Sequence, residues 1–422
     1  VSEFHGSASS GSRRQPSPAS LPRTREAALR TGSAPAPAKS RAWATLAELR
    51  GPGVPPKALD ARALAALAAN PGCRRRAILD GAGVDKAALA GALGSPPAFG
   101  QSQFAFMRGN AFEARVKADG GAELLRLVHE RLDPGAEPPA GAEVPDLSAA
   151  GPQGRVARTA LALREAAAAG GWTLLDHPML ALDVAGSPAF LEPDAVVVHP
   201  DGGWTVVEIK SFPMLDGSAD PAKVGAAARQ AAVYVLALEE VAARLAGDGA
   251  PPRVHHRVLL VCPKDFSNLP TASAVDIRRQ RAVTARQLSR LTRVEEIAGT
   301  LPEGTCFSPE LPAEELAAAV DAVPASYAPE CLSTCDLAFH CRARARESGA
   351  VAALGRPLRA ELGGLSSVEE VLAAAHGEAG DPDDPAVAAL RRAAVLRAEA
   401  LDAARAACLP VPPAGPEVPA CR

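Results

Sequence analysis

The sequence predicts an α/β fold, a mixed β-sheet flanked by helices with helical extensions at both ends. Three observations carry this expectation. Two strand-like runs, Ala195 to His199 and Trp204 to Lys210, are joined by Pro200-Asp201-Gly202-Gly203, the composition of a tight hairpin turn. A long Ala-rich helical run, Pro221 to Ala246, comes next, with Pro in its first turn and Gly247 just past its end. A further run, Val254 to Cys262, is apolar almost without interruption towards its end, as suits a strand buried on both faces.

The remaining elements follow in chain order. Residues 1–40 are rich in Ser, Pro, Ala and Arg without periodicity, and are expected to be a disordered tail; a basic arm touching nucleic acid is the alternative. Residues 41–69 read as helical. Cys73 then stands at a turn-to-helix junction, after Asn70-Pro71-Gly72 and before Arg74, Arg75 and Arg76. Residues 101–132 read as a helix broken near Gly120-Gly121, residues 133–153 as a Pro/Gly/Ala-rich linker, and residues 154–169 as an Ala-rich helix. Trp172 to Val184 is apolar and strand-like, and with Phe190–His199 and Trp204–Lys210 it makes a three-stranded meander. The expected order is therefore helix, three strands, helix, strand. A core domain over 41–345 is followed by a helical extension over 346–408 and a Pro-rich, disordered tail over 409–422.

Composition narrows the possibilities. A chain of 422 residues can bury a sizeable core. Aromatic residues make up only 4% of it, so its helices rest on alanine-rich packing. A net charge of −3 gives no global basicity, and any nucleic-acid contact must come from local arginines. Arg278, Arg279, Arg281, Arg286, Arg290 and Arg293 form such a stripe on an expected helix, although a solvated face reads the same way. No run of about 18 apolar residues is present, so no transmembrane helix is expected. The N-terminus has no charged segment leading into an apolar core, so no signal peptide is expected, and the chain reads as cytoplasmic. Three of the eight cysteines fall within 331–341. In a cytosolic chain this clustering favours metal or cluster ligation over disulfides.

The chemistry concentrates on the hairpin. Asp194 precedes one strand, and Glu208 and Lys210 end its partner, so the hairpin can bring the three together. Glu208 and Lys210 are two apart and share one strand face, while Ile209 points to the other, into a core. Two carboxylates and an ammonium beside a buried sheet suit metal-assisted phosphodiester hydrolysis, because hard oxygen ligands hold Mg²⁺ and the ion activates a water. The lysine can orient that water or stabilise charge developing on the phosphate. On the following helix Gln230 and Tyr234 are four apart and share one face.

Pro193-Asp194, followed fourteen residues after the Asp by Glu208-Ile209-Lys210, resembles the PD-(D/E)xK nuclease superfamily. Gln230 and Tyr234 resemble the Q-x-x-x-Y motif of its RecB-type exonuclease branch, and the resemblance covers roughly residues 70–345. It implies the restriction-endonuclease-like mixed sheet and a Mg²⁺- or Mn²⁺-dependent deoxyribonuclease, with exonuclease action on DNA ends. Asp194, Glu208 and Lys210 would be catalytic, and Gln230 and Tyr234 would position DNA. The metal ligands would be Glu113, Asp194, Glu208 and the carbonyl of Ile209. Gly109-Asn110-Ala111-Phe112-Glu113 looks like the helix segment that supplies the first ligand. The exonuclease branch often has His where Glu113 stands, and Glu113 also reads as a surface carboxylate. Gln230 and Tyr234 likewise read as a surface amide and a core aromatic.

Cys331, Cys335 and Cys341 are soft ligands suited to zinc or an iron–sulfur cluster, and they need a fourth partner. The resembled family includes CRISPR-associated and AddB-type nucleases in which a distant N-terminal cysteine joins three C-terminal ones around a [4Fe–4S] cluster. By that resemblance Cys73 is the fourth ligand; Cys306 and His340 compete for the place. Zinc and plain buried thiols are the alternatives. A helicase or a defence or repair complex is the partner the resemblance suggests besides DNA. Two other readings stay open: a non-cleaving nucleic-acid-binding or scaffold module, and a zinc-stabilised interaction protein.

Overall fold

The structure is a computed structural model that describes residues 45–96, 103–133, 140–247 and 249–407. The chain divides into two units, Val1–Arg41 and Ala42–Arg422. The first unit lies outside the described residues, and so does the expected tail at 409–422.

The second unit is α/β. Its main sheet has five strands in the order β1 (Thr173–Asp176), β4 (Ala195–Val198), β5 (Trp204–Ile209), β6 (Arg257–Pro263) and β7 (Pro270–Asp276). All neighbours are antiparallel except β5 and β6, which run parallel. A parallel joint needs a long crossover, and the helix α8 (Pro221–Ala246) supplies it. Asp220 caps that helix by accepting the N–H groups of Ala222 and Lys223, and Pro221 fills its first turn. The expected hairpin turn forms, with Gly202 at φ +78° and the His199 N–H donating to the Gly203 carbonyl at 2.8 Å.

Every residue of β5 is buried, as the centre of a sheet covered on both faces requires. Trp204 and Val206 face a core shared with Ala231, Tyr234 and Leu238 of α8. Val207 and Ile209 face the opposite core, with Phe112 and Val116 of α5 (Gln103–Val116) and Leu124 of α6 (Ala118–Leu132). The helix break falls where Gly120-Gly121 suggests it, with Asp119, Gly120 and Gly121 all outside helical geometry. Gly121 is needed twice over: its φ is +77°, and a Cβ there would stand 2.2 Å from Leu174 Cδ2.

Several sequence expectations need correction. The run 41–69 is not one helix: residues 45–50 (α1) and α2 (Ala61–Ala69) are separated at Gly51-Pro52-Gly53, where both glycines take positive φ. The three-stranded meander is built from shorter pieces. Trp172–Val184 breaks at His177-Pro178, and Phe190–His199 breaks at Glu192-Pro193-Asp194. The fragments β2 (Leu180–Val184) and β3 (Ser187–Leu191) pair as a separate two-stranded sheet, turned by Ala185 and Gly186 with positive φ at both. The strand expected at Val254 starts at Arg257, and β7 had no sequence counterpart, being short of large apolar residues. The arginine-bearing helix is α9 (Arg278–Leu288), so Arg290 and Arg293 fall beyond its end. No helix among the described residues is long and apolar enough to cross a membrane.

Candidate active site and thiol pocket

The site lies at the end of the sheet where β4 begins and β5 finishes. The β4–β5 register pairs Ala195 with Val207, so one step beyond it Asp194 stands opposite Glu208. The Ile209 main-chain N–H donates to Asp194 Oδ2 at 2.6 Å, which fixes that carboxylate against the neighbouring strand. Lys210 Nζ ion-pairs with Glu208 and lies 3.9 Å from Asp194 Oδ2. The Lys210 N–H donates to the Val261 carbonyl at 2.9 Å, holding the lysine to the parallel strand β6.

Glu208 is 1% exposed, and its Oε2 has no hydrogen-bond partner among the described residues. Burial pushes its pKa up to about 7; the charge of Lys210 opposes the rise and that of Asp194 adds to it. Asp194 is raised as well, by burial first. Lys210 is raised in spite of its burial, because Glu208 and Asp194 hold the proton on it. Two carboxylates thus share one lysine, and their raised pKa values record the desolvation and repulsion that a bound cation would relieve.

Glu113, on α5, faces the same site and is differently engaged. Lys117 Nζ donates to its Oε1 at 2.5 Å, and His177 Nε2 lies 3.0 Å from the same oxygen. Lys117 also pairs with Asp176 Oδ1 at 2.6 Å. Partial burial works against the charge of Glu113, but the bonds from His177 and Lys117 bring its pKa down to about 2. The bond to Glu113 raises His177 in turn. Lys117, Asp176 and His177 were not singled out from the sequence. Lys117 sits one helical turn beyond Glu113, a spacing that does signal a pair. His177 follows β1 at φ +45°, a conformation that no sequence pattern announces. Among the described residues, no three His, Cys, Asp or Glu side chains converge as a single-ion site.

Gln230 and Tyr234 adjoin this end of the sheet from α8. Gln230 Nε2 donates to the Tyr234 hydroxyl at 3.0 Å, and that hydroxyl donates to the Glu192 carbonyl at 3.1 Å. Tyr234 is 4% exposed and packs in the main core, so its hydroxyl holds the chain just ahead of Asp194. The carboxylate of Glu192 pairs with Arg155 at 2.6 Å, and Arg155 also donates to the His177 carbonyl at 2.9 Å.

The four cysteines singled out lie together. Cys73, which precedes α3 (Arg74–Gly81), lines one small cavity with Cys331, Cys335 and Cys341. The last three lie on α12 (Cys331–Thr334), on the residue after it and on α13 (Ala338–Glu347). All four are free thiols. Cys306 and His340 are not in the lining; His340 instead bonds Asp321 at 3.0 Å. Burial raises the thiols of Cys331 and Cys335, and that of Cys341 to about 11. Side-chain donors nevertheless reach two of the sulfurs: Asn70 Nδ2 at 3.4 Å from Cys331 Sγ and Arg75 Nη1 at 3.3 Å from Cys341 Sγ.

Of the arginine stripe, Arg281 is tied to Glu239 at 2.5 Å, Arg278 to Asp276, and Arg293 to Glu295 at 3.5 Å. Arg279, Arg286 and Arg290 are exposed and form no ion pair among the described residues. Comparison with protein-family models, with curated proteins and with solved structures finds no match.

Proposed function

We propose that the chain is a metal-dependent deoxyribonuclease of the PD-(D/E)xK kind, with a RecB-like core and a [4Fe–4S] cluster in the thiol pocket. The observation that carries the reading is the Asp194–Glu208–Lys210 group at one sheet end, with Glu208 buried and its pKa raised to about 7. A buried carboxylate oxygen without a partner fits a divalent cation, which would replace the missing hydrogen bond.

Asp194, Glu208 and the Ile209 carbonyl would hold Mg²⁺ or Mn²⁺, with Glu113 the further ligand. The ion would supply an activated water and draw off charge from the phosphate. Lys210 keeps its proton, so it acts as a fixed cation that orients the water or meets charge building on the phosphate. Tyr234 and Gln230 anchor the Glu192 main chain, and through it the position of Asp194. Gln230, the less buried of the two, is the one available to DNA.

The thiol pocket supports the cluster reading through its donor set. Four free thiols, beside the buried guanidinium groups of Arg75 and Arg76, suit an anionic iron–sulfur group better than a neutral apolar core. The cluster would be structural, joining α3 to the segment at 331–341.

The test is cleavage of labelled linear and circular DNA by anaerobically purified protein, with Mg²⁺, Mn²⁺ or EDTA, beside Lys210→Ala. Metal-dependent cleavage lost in the variant is expected, and preference for linear DNA would mark an exonuclease. Folded, iron-loaded protein that cleaves neither substrate would sink the enzyme reading in favour of a non-cleaving DNA-binding module.

A further inference from the structure

The thiol pocket is braced by more than its cysteines. Arg75 is 6% exposed, and each of its three side-chain nitrogens donates into one neighbourhood: Nε to the Val323 carbonyl at 3.2 Å, Nη2 to Asp321 at 3.1 Å, and Nη1 to Cys341 Sγ at 3.3 Å. Its main-chain N–H donates to the Pro324 carbonyl at 3.0 Å. Asn70 divides its amide between the Ser326 carbonyl at 2.5 Å and Cys331 Sγ at 3.4 Å. Arg76 donates to the Thr334 carbonyl at 2.6 Å and, at 2.9 Å, to Asp80, which is itself buried. Thus the chain around Cys73 is tied to the segment 321–341 by hydrogen bonds that need no metal.

Two of these donors end on sulfur. A thiol is a weak acceptor, and a buried guanidinium gains little from it. A thiolate that shares the charge of a cluster is a strong one. From these contacts we infer that Asn70 and Arg75 are positioning residues for the bound iron–sulfur group, donating hydrogen bonds to the ligand sulfurs of Cys331 and Cys341 and raising its reduction potential. This rests on the cluster reading proposed above. The reasoning is electrostatic: reduction adds one negative charge, and fixed donors and a nearby cation stabilise the more negative state more. Arg75 brings a charged donor, its charge partly offset by the pair with Asp321, whereas Asn70 brings a neutral one, so Arg75 has the larger effect.

The experiment compares the full-length protein with Asn70→Ala, Arg75→Lys and Arg75→Met, all isolated without oxygen. Iron and acid-labile sulfide are assayed first, and the potential is then read by dithionite titration followed by visible absorption and electron paramagnetic resonance. Expected are four irons per wild-type chain and potentials that move negative in Asn70→Ala and further in Arg75→Met. Arg75→Lys, which keeps the charge, should fall between wild type and Arg75→Met. If Arg75→Met does not fold, Asn70→Ala decides alone, because its side chain lies nearer the surface. Four-iron variants whose potentials equal that of the wild type would overturn the inference while leaving the cluster reading intact. Wild-type protein isolated without iron, or with zinc in its place, would overturn both.

Discussion

Asp194 accepts the main-chain N–H of Ile209 at 2.6 Å, so the carboxylate that opens one strand is clasped to the strand that carries Glu208. The clasp sets a half-buried carboxylate against the buried one of Glu208, with one lysine between them. Such an arrangement costs stability in the metal-free protein, and it is the expected cost of a cation site.

Asp194→Asn separates the two effects. Asparagine keeps an oxygen for the Ile209 N–H and removes the charge that adds to the burial-driven rise of Glu208. Metal-dependent cleavage should fall by on the order of 10²- to 10³-fold, the scale for losing one electrostatic contact to a transition state. The melting temperature of the metal-free protein at pH 8 should match or exceed that of the wild type. A clear drop in melting temperature would show that the clasp is structural rather than a strained site.

Metal affinity should depend on pH through Glu208. Its folded-state pKa, about 7 against an ordinary 4.5, means that a proton competes with the cation below neutrality. Mn²⁺ binding, followed by the free-ion resonance signal, should therefore weaken as pH falls below about 7. The sign for folding is opposite. The folded acid holds its proton more tightly than the unfolded one, so its stabilising contribution is present below 4.5 and lost as pH rises towards 7. Without metal, wild-type stability should decline across that window relative to Glu208→Gln.

At the other end of the sheet His199 gives a slope of the opposite sense. It is 6% exposed, its Nε2 lies 2.8 Å from Thr205 Oγ1, and its ring packs 4.8 Å from that of Trp172. Burial, reinforced by the charge of His255, lowers its pKa from 6.5 to about 4. The unfolded state then binds more protons between those values, and the stability carried by the neutral ring is lost as pH falls from 6.5 to 4. The shift corresponds to roughly 3 kcal/mol at most. Urea unfolding of wild type and His199→Gln at pH 7 and pH 4.5 should show the wild type losing more. Equal losses would place the titration elsewhere.

What the sequence made legible was local. The Pro-Asp-Gly-Gly turn and the alternation across Glu208, Ile209 and Lys210 fix both the hairpin and which side chains share a face, and these depend only on neighbours in the chain. Cys73 and Cys331 are 258 positions apart, and no spacing rule joins them; the family resemblance named them together, and the structure sets both on one cavity. The break at Asp176-His177-Pro178 was overlooked although its polar residues and proline interrupt the apolar run, and the one at Glu192-Pro193-Asp194 was read in the strand start at Ala195 but not in the longer run Phe190–His199. Tyr234 illustrates the opposite difficulty. Its place on the helix was readable, but its bond to the Glu192 carbonyl depends on a chain segment 42 residues away.

The DNA reading makes a quantitative demand on the surface. Arg279 and Arg286 are two helical turns apart on α9, with Arg290 just past its end, and all three are exposed without an ion pair among the described residues. Replacing all three with alanine should weaken duplex binding most at low salt. Each lost phosphate contact lowers the slope of log K against log salt by about 0.9, so three contacts lower it by about 2.7. Fluorescence anisotropy over a salt series, with Mg²⁺ replaced by Ca²⁺ to slow cleavage, measures that slope. Arg126, held by Glu123 at 2.7 Å and by Glu130, is the control, since its charge is already neutralised. An unchanged slope in the triple variant would mean that DNA runs over another face of the molecule.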